Sequence, residues 1–172
     1  MFSIVFLVAF LTFSSAGRLD DCKDSRTFVV LNARNLQNNS PRETELLRTK
    51  VHFKLSDPLF SVKDAENEII FGQHNSSSSF AIYTSIKDYA SNNNACNVVT
   101  SISKFSGSKF VEVDFILEKN GGFSVIIDDE NFLYCETGFT FDFSKNHKIF
   151  ISTSLLFDNE IFLYDCPFVN KI

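Results

Sequence analysis

The 172-residue chain has no tryptophan, one methionine, three prolines and six glycines. Without an indole it lacks the broadest aromatic platform on which a flat or ring-shaped ligand stacks. Basic residues are also short: 16 Lys and Arg against 21 Asp and Glu leave a formal charge of −5. Nucleic-acid phosphates need a basic surface, so that class of partner is excluded. There is no Lys/Arg cluster for anionic lipid either. Catalytic signatures are missing: no G-x-S-x-G, no H-E-x-x-H and no glycine-rich phosphate loop. His52, His74 and His147 are scattered, and no Cys-x-x-Cys pair suggests zinc. On these grounds the expectation is a protein without cofactor or metal that is not an enzyme. Asp128-Asp129-Glu130 lacks the alternating spacing of a calcium loop and reads as an acidic hairpin turn.

What the chain has in quantity is phenylalanine, 21 residues, and a period-two alternation that is clearest between Gly107 and Ser144. Val111, Val113, Phe115 and Leu117 alternate with Glu112, Asp114 and Glu118. Asn120-Gly121-Gly122 interrupts where a hairpin needs positive φ. Phe123, Val125 and Ile127 resume the pattern, the Asp128–Asn131 stretch stops it, and Phe132 to Cys135 returns. Phe139, Phe141 and Phe143 then mark a further strand. Val113, Phe115, Val125 and Phe141 are expected inside, with Glu112, Asp114 and Asp142 outside.

Further strands are expected at Thr27–Leu31, Val51–Leu55, Leu59–Val62, Glu68–Phe71, Phe80–Ile86, Asn97–Ser103, Lys148–Leu156 and Glu160–Tyr164. Ser40-Pro41-Arg42-Glu43 has the form of a capping box and predicts a short helix over Pro41–Arg48. Lys87–Asn94 reads as polar connection. Many short strands with regular turns make an all-β antiparallel sandwich or barrel.

Met1–Ala16 has the form of a secretory signal peptide, with an uncharged apolar run from Ile4 to Phe13 and Ser14-Ser15-Ala16 at the cleavage site. It is too short for a membrane span, and no later apolar run approaches the required length. The expected division is a leader over 1–16, an N-terminal segment with a first strand over 17–50, and a β-sandwich domain over 51–172. An even cysteine count in a secreted chain implies two disulfides among Cys22, Cys96, Cys135 and Cys166. Of the three connectivities, the terminal staple Cys22–Cys166 is preferred. Asn38-Asn39-Ser40 and Asn75-Ser76-Ser77 match the N-glycosylation sequon.

The order of features from Glu68 onward resembles the galectins, a family of galactoside-binding jelly-roll sandwiches. Gly107-Ser108-Lys109-Phe110, Phe123 to Asp129 and Phe132 are similar to the passage in which Gly-x-x-Phe opens a strand and a Phe-x-Val-x-Val-Asn-Gly hairpin follows. Glu68 to His74 falls at the family's His-Phe-Asn-Pro-Arg strand, Phe80 to Ser85 at Val-Val-x-Asn-Ser, and Ala95 to Thr100 at Trp-Gly-x-Glu-x-Arg. The resemblance implies a galectin-like jelly roll and a ligand face carrying Gly72, His74, Thr84 and Thr100. It also implies a glycan or glycoprotein as partner, or an extracellular protein if only the scaffold is kept. Where the family places its polar sugar ligands this chain has Ile70, Gly72, Val98 and no Trp. Galactose recognition is therefore expected to be weaker than in a typical galectin.

Overall fold

A computed structural model describes residues 19–26, 28–54, 57–99, 105, 109–142, 147–153 and 161–168. The alternation around Phe115 forms a three-stranded meander: β8 (Val111–Glu118), β9 (Gly122–Ile127) and β10 (Asn131–Glu136). Val113 faces Ile127, Phe115 faces Val125 and Leu117 faces Phe123 across the first pair. Gly121, at φ 89°, makes the first turn. A Cβ there would lie 2.2 Å from the carbonyl oxygen of Phe139, so the position needs glycine twice over. Asp128 and Asp129, both with positive φ, make the second turn. The Asp128 carboxylate fastens this turn to β8 by accepting the Glu112 N–H at 2.9 Å.

The remaining strands are β1 (Lys23–Ser25), β2 (Phe28–Asn32), β3 (Glu45–Lys54), β4 (Leu59–Lys63), β5 (Glu68–His74), β6 (Ser76–Tyr83), β7 (Asn97–Val99), β11 (Lys148–Ser152) and β12 (Ile161–Tyr164). They form two six-stranded sheets, β1-β12-β3-β8-β9-β10 and β2-β11-β4-β5-β6-β7. All the pairings are antiparallel. The fold is therefore an all-β antiparallel sandwich of jelly-roll type. Among the described residues no helix is long and apolar enough to cross a membrane.

The inward faces meet in an aromatic core. Phe115 of one sheet lies face to face with Phe60 of the other, ring centroids 3.8 Å apart, and edge-on to Phe71 at 5.5 Å. Phe71, Phe80, Phe105 and Phe53 continue the chain of ring contacts. The expected inward set of Val113, Phe115, Val125 and Phe141 is buried, and Asp142 is exposed.

Two disulfides close the molecule. Cys22–Cys166 joins the approach to β1 with the exit from β12, the terminal staple that was preferred. Cys96–Cys135 joins the start of β7 to β10, and so ties an edge of one sheet to an edge of the other. Beside the first bridge the buried Asp165 carboxylate accepts from Lys23 at 2.6 Å and from the backbone N–H groups of Gln37 and Asn38. Asn38, the first sequon asparagine, also spends its side-chain amide on the Asp165 carbonyl.

Three expectations need correction. No helix forms over Pro41–Arg48. Thr44 ends a turn and β3 begins at Glu45, because Leu47, Thr49, Val51 and Phe53 continue a two-residue period onto the core. The carboxylate that closes on this turn is Glu45, which accepts the Arg42 N–H and pairs with Arg48. Phe139 and Phe141 lie in irregular chain and not in a strand, although Phe141 is buried. The helix α1 (Ile86–Ser91) takes the last residue of the expected strand Phe80–Ile86, which ends at Tyr83, and most of Lys87–Asn94, read as connection. Phe143, Leu55, Ser101–Ser103, Leu155, Leu156 and the leader Met1–Ala16 lie outside the described residues.

The outer face of the first sheet is polar. Lys50 Nζ binds Glu112 at 2.6 Å, and His52 Nε2 lies 3.2 Å from the same carboxylate. The hydrogen bond from His52, with support from Lys50, pulls the Glu112 carboxyl down to about 2. Burial pushes its neighbour Asp114 up, which opposes part of this effect. A carboxyl depressed on folding stabilises the fold above its unfolded value and loses that contribution as pH falls through its folded value. Stability measured by denaturant unfolding should therefore fall between about pH 4.5 and pH 2, and Glu112→Gln should flatten that acid limb. An acid limb unchanged by Glu112→Gln would place its origin elsewhere.

Candidate functional site

The three segments at the galectin motif positions lie side by side as β5, β6 and β7. Ile70 faces Tyr83, Gly72 faces Ala81, and Ala81 faces Val98. The outer side of these strands carries a small apolar cluster of Ile70, Ala81 and Tyr83, packed by Leu59, Tyr89 and Ala95. Its lid is α1. Ser85 caps that helix by accepting the Asp88 N–H at 3.1 Å and donating to the Asp88 carboxylate at 2.5 Å. The helix ends at Asn92, whose left-handed backbone (φ 52°) returns N–H bonds to the last carbonyls.

Tyr89 is brought by this helix onto Gly72. A Cβ at Gly72 would stand 2.7 Å from the Tyr89 ring and 3.0 Å from Leu59. The glycine is thus the floor that lets the tyrosine lie down. Tyr89 also meets Tyr83 edge to face, with centroids 5.4 Å apart. Burial raises the pKa of both phenols, so both remain hydrogen-bond donors through the physiological range.

Behind the tyrosines runs a relay of polar groups. The Asn75 amide lies 2.8 Å from His74 Nε2, His74 Nδ1 lies 2.5 Å from the Tyr83 hydroxyl, and that hydroxyl donates to Asn92 at 3.2 Å. One assignment satisfies all three contacts: Asn75 donates to Nε2, and the Nδ1–H donates to Tyr83. Both ring nitrogens of His74 are then engaged internally. Its role in this arrangement is to fix Tyr83 and the turn at Asn75, whose φ is 57°. In front lies a cleft of about 340 Å³ lined by Gln73, Asn75, Tyr89, Ala90 and Asn92. Amides flanking an aromatic ring are suited to a ligand with hydroxyl groups on one side and C–H surface on the other.

Of the four residues singled out from sequence, Gly72 and His74 come together on β5. Gly72 serves as a floor under Tyr89, not as an open contact. Thr84 follows Tyr83, the partner of Ile70, so it sits toward the opposite end of β5 from His74. Thr100 lies outside the described residues. Sequence reasoning did not find Gln73, Asn75, Tyr89 or Asn92. The available signal was Ser85-x-x-Asp88, a helix start that would have carried Tyr89 back over β5. Asn75 is also the second sequon asparagine, and it lies exposed at the cleft.

No family model matches the chain, and neither does any curated protein. Among solved structures it is similar to a β-glucanase of Bacillus licheniformis. That match has 10% identity and a TM-score of 0.43, over 73% of this chain and 65% of the other. It is also similar to an alginate lyase from Pseudomonas aeruginosa at 6% identity and a TM-score of 0.28, over 86% and 64%. The chain thus spans just under two thirds of the length of each. These likenesses overturn the expectation that the chain is not an enzyme, because both neighbours bear the names of enzymes. That expectation rested on missing linear motifs, and active sites assembled from scattered residues need none. At such identity the likeness concerns the fold alone and lends this chain no reaction.

Proposed function

We propose that this protein is a secreted, galectin-like recognition module that binds a glycan or glycoprotein in the cleft between the β5–β6 turn and α1. The observation that carries this reading is the cleft itself. Asn75 and Asn92 offer amide donors and acceptors beside the half-buried ring of Tyr89, and Gln73 borders the cleft from β5. They stand at the end of β5 and on the α1 that covers it, next to the strands where the sequence resembles the sugar-binding strands of galectins. Tyr89 takes the part of the missing indole, from a different element. Lactose is a poor ligand in this reading, because Ile70 and Val98 replace polar groups and His74 is held internally.

The test is a glycan array followed by calorimetry on oxidised protein produced without N-glycans, so that Asn75 is unmodified. Binding should fall about tenfold or more in Asn92→Ala and in Tyr89→Ala, the loss expected of one hydrogen-bonding or stacking partner. Glycan binding indifferent to both changes would move the site elsewhere.

Secretion is part of the same reading. The two disulfides belong to an oxidising compartment, and the 1–16 stretch has the form of a leader. The mass of protein recovered from the medium of a secreting cell should correspond to a chain starting at or near Gly17. Retention of Met1–Ala16 would refute this.

A further inference from the structure

Tyr89 forms part of two depressions at once. One is the amide-walled cleft; the other is a groove of about 260 Å³ on the same outer face, walled chiefly by Val30, Leu59, Ile70, Ile86 and Phe150. Strand register explains the groove. Val30 faces Phe150, Phe150 faces Ser61, Ser61 faces Ile70 and Ile70 faces Tyr83, so a row of mostly apolar side chains crosses five strands. Ile86 of α1 overhangs it and is 58% exposed, while Val30 on the edge strand is 51% exposed. Val30 and Ile86 thus leave apolar side chain in solvent beside the buried Ile70, which is surface that an apolar group of a ligand would cover.

The far end of the groove is charged. Lys63 pairs with Glu68 at 3.5 Å and faces Lys148 across the strand pair. Along β5 the face therefore passes from charge at Glu68, through Ile70 and the Gly72 that lies beneath Tyr89, to His74 and the amide of Asn75 in the turn beyond. About 13 Å of strand separates Glu68 from Gly72, enough for a short chain but not for a long one.

We propose that the ligand is an amphipathic glycoside. Its sugar sits between Asn75 and Asn92, and its short alkyl or aryl aglycone crosses Tyr89 into the groove toward Ile70 and Phe150. The proposal rests on the glycan reading above and adds the chemistry of the group attached to the sugar. Tyr89 serves both halves: one part of the ring borders the hydroxyl-binding cleft and another the apolar wall.

The experiment compares matched methyl and octyl β-glycosides of glucose, galactose, mannose and N-acetylglucosamine, all below micelle formation, by calorimetry and by amide chemical-shift mapping. For whichever sugar binds, the octyl form should bind about tenfold or more tightly than the methyl form, as burial of several methylenes requires. Val30→Glu and Ile86→Glu, both at exposed wall positions that leave the core intact, should remove that gain while methyl glycoside binding stays unchanged. Equal affinity of methyl and octyl forms would overturn the inference and leave the glycan reading standing. Equal binding of tetraethylene glycol monooctyl ether, which has the chain but no sugar, would also overturn it. Binding of that ether alone, with no glycoside preferred, would defeat the glycan reading as well.

Discussion

Phe115→Ala should lower the unfolding free energy by about 3–5 kcal/mol, a large share of the roughly 5–15 kcal/mol that holds a domain together. The ring is fully buried between the sheets. It stacks on Phe60 at 3.8 Å, meets Phe71 at 5.5 Å edge-on, and lies 6.4 Å from Phe123. Removing it deletes contacts on both sides at once. None of the three neighbouring rings can refill the space without leaving its own partners, so a cavity remains. Phe60 and Phe71 come from β4 and β5, so the loss should loosen the grip of one sheet on the other rather than fray an edge. Guanidinium unfolding with matched slopes is the measurement, and Lys119→Ala at an exposed position is the control. A midpoint shifted no further than that of the control would mean the aromatic stack does not carry the core.

The prominence of Phe115 was legible from the sequence, for a physical reason. In β8 and β9 apolar residues recur at every second position, and the intervening turns hold Asn-Gly-Gly and Asp-Asp, which accept positive φ. Local propensity, pattern and turn chemistry all agree there. At Pro41–Arg48 they conflict. A capping-box pattern reads as a helix start, but Leu47, Thr49, Val51 and Phe53 belong to a strand that pairs with β8 on one side and β12 on the other. Pairing partners distant in sequence decide that segment, and no local window contains them. The site was half legible for a similar reason. The resemblance led to β5 and β6, and hence to Gly72 and His74. The groups that make the cleft usable stand on α1, a helix of six residues with one large aromatic side chain and too short to show a periodic face. Nor does sequence show that both nitrogens of His74 are spent on Tyr83 and Asn75.

The two disulfides should be unequal, with Cys22–Cys166 the more stabilising. A cross-link stabilises chiefly by restricting the unfolded chain, and more so the longer the loop it closes. The terminal bridge spans 144 residues of sequence, the inter-sheet bridge 39. In the chain-entropy picture these correspond to about 5 and about 4 kcal/mol, a difference of about 1 kcal/mol. The native surroundings act in the same direction. Next to the terminal bridge, Asp165 gathers Lys23, Gln37 and Asn38 around one buried carboxylate. Releasing Cys22 from Cys166 frees the short strand β1 and exposes that carboxylate to competition from water. At the other bridge the Asn97 side chain still donates to the Tyr134 carbonyl at 2.8 Å, which keeps β7 against β10 after the sulfur link is gone. The paired variant Cys22→Ala/Cys166→Ala should therefore lose about 4–5 kcal/mol, and Cys96→Ala/Cys135→Ala about 3–4 kcal/mol. Denaturant unfolding of the two double variants beside the oxidised parent is the comparison. Single substitutions are avoided, since each would leave a reactive thiol. An inter-sheet variant that proves the less stable of the two would show that holding the sheets together at one edge outweighs closing the long loop.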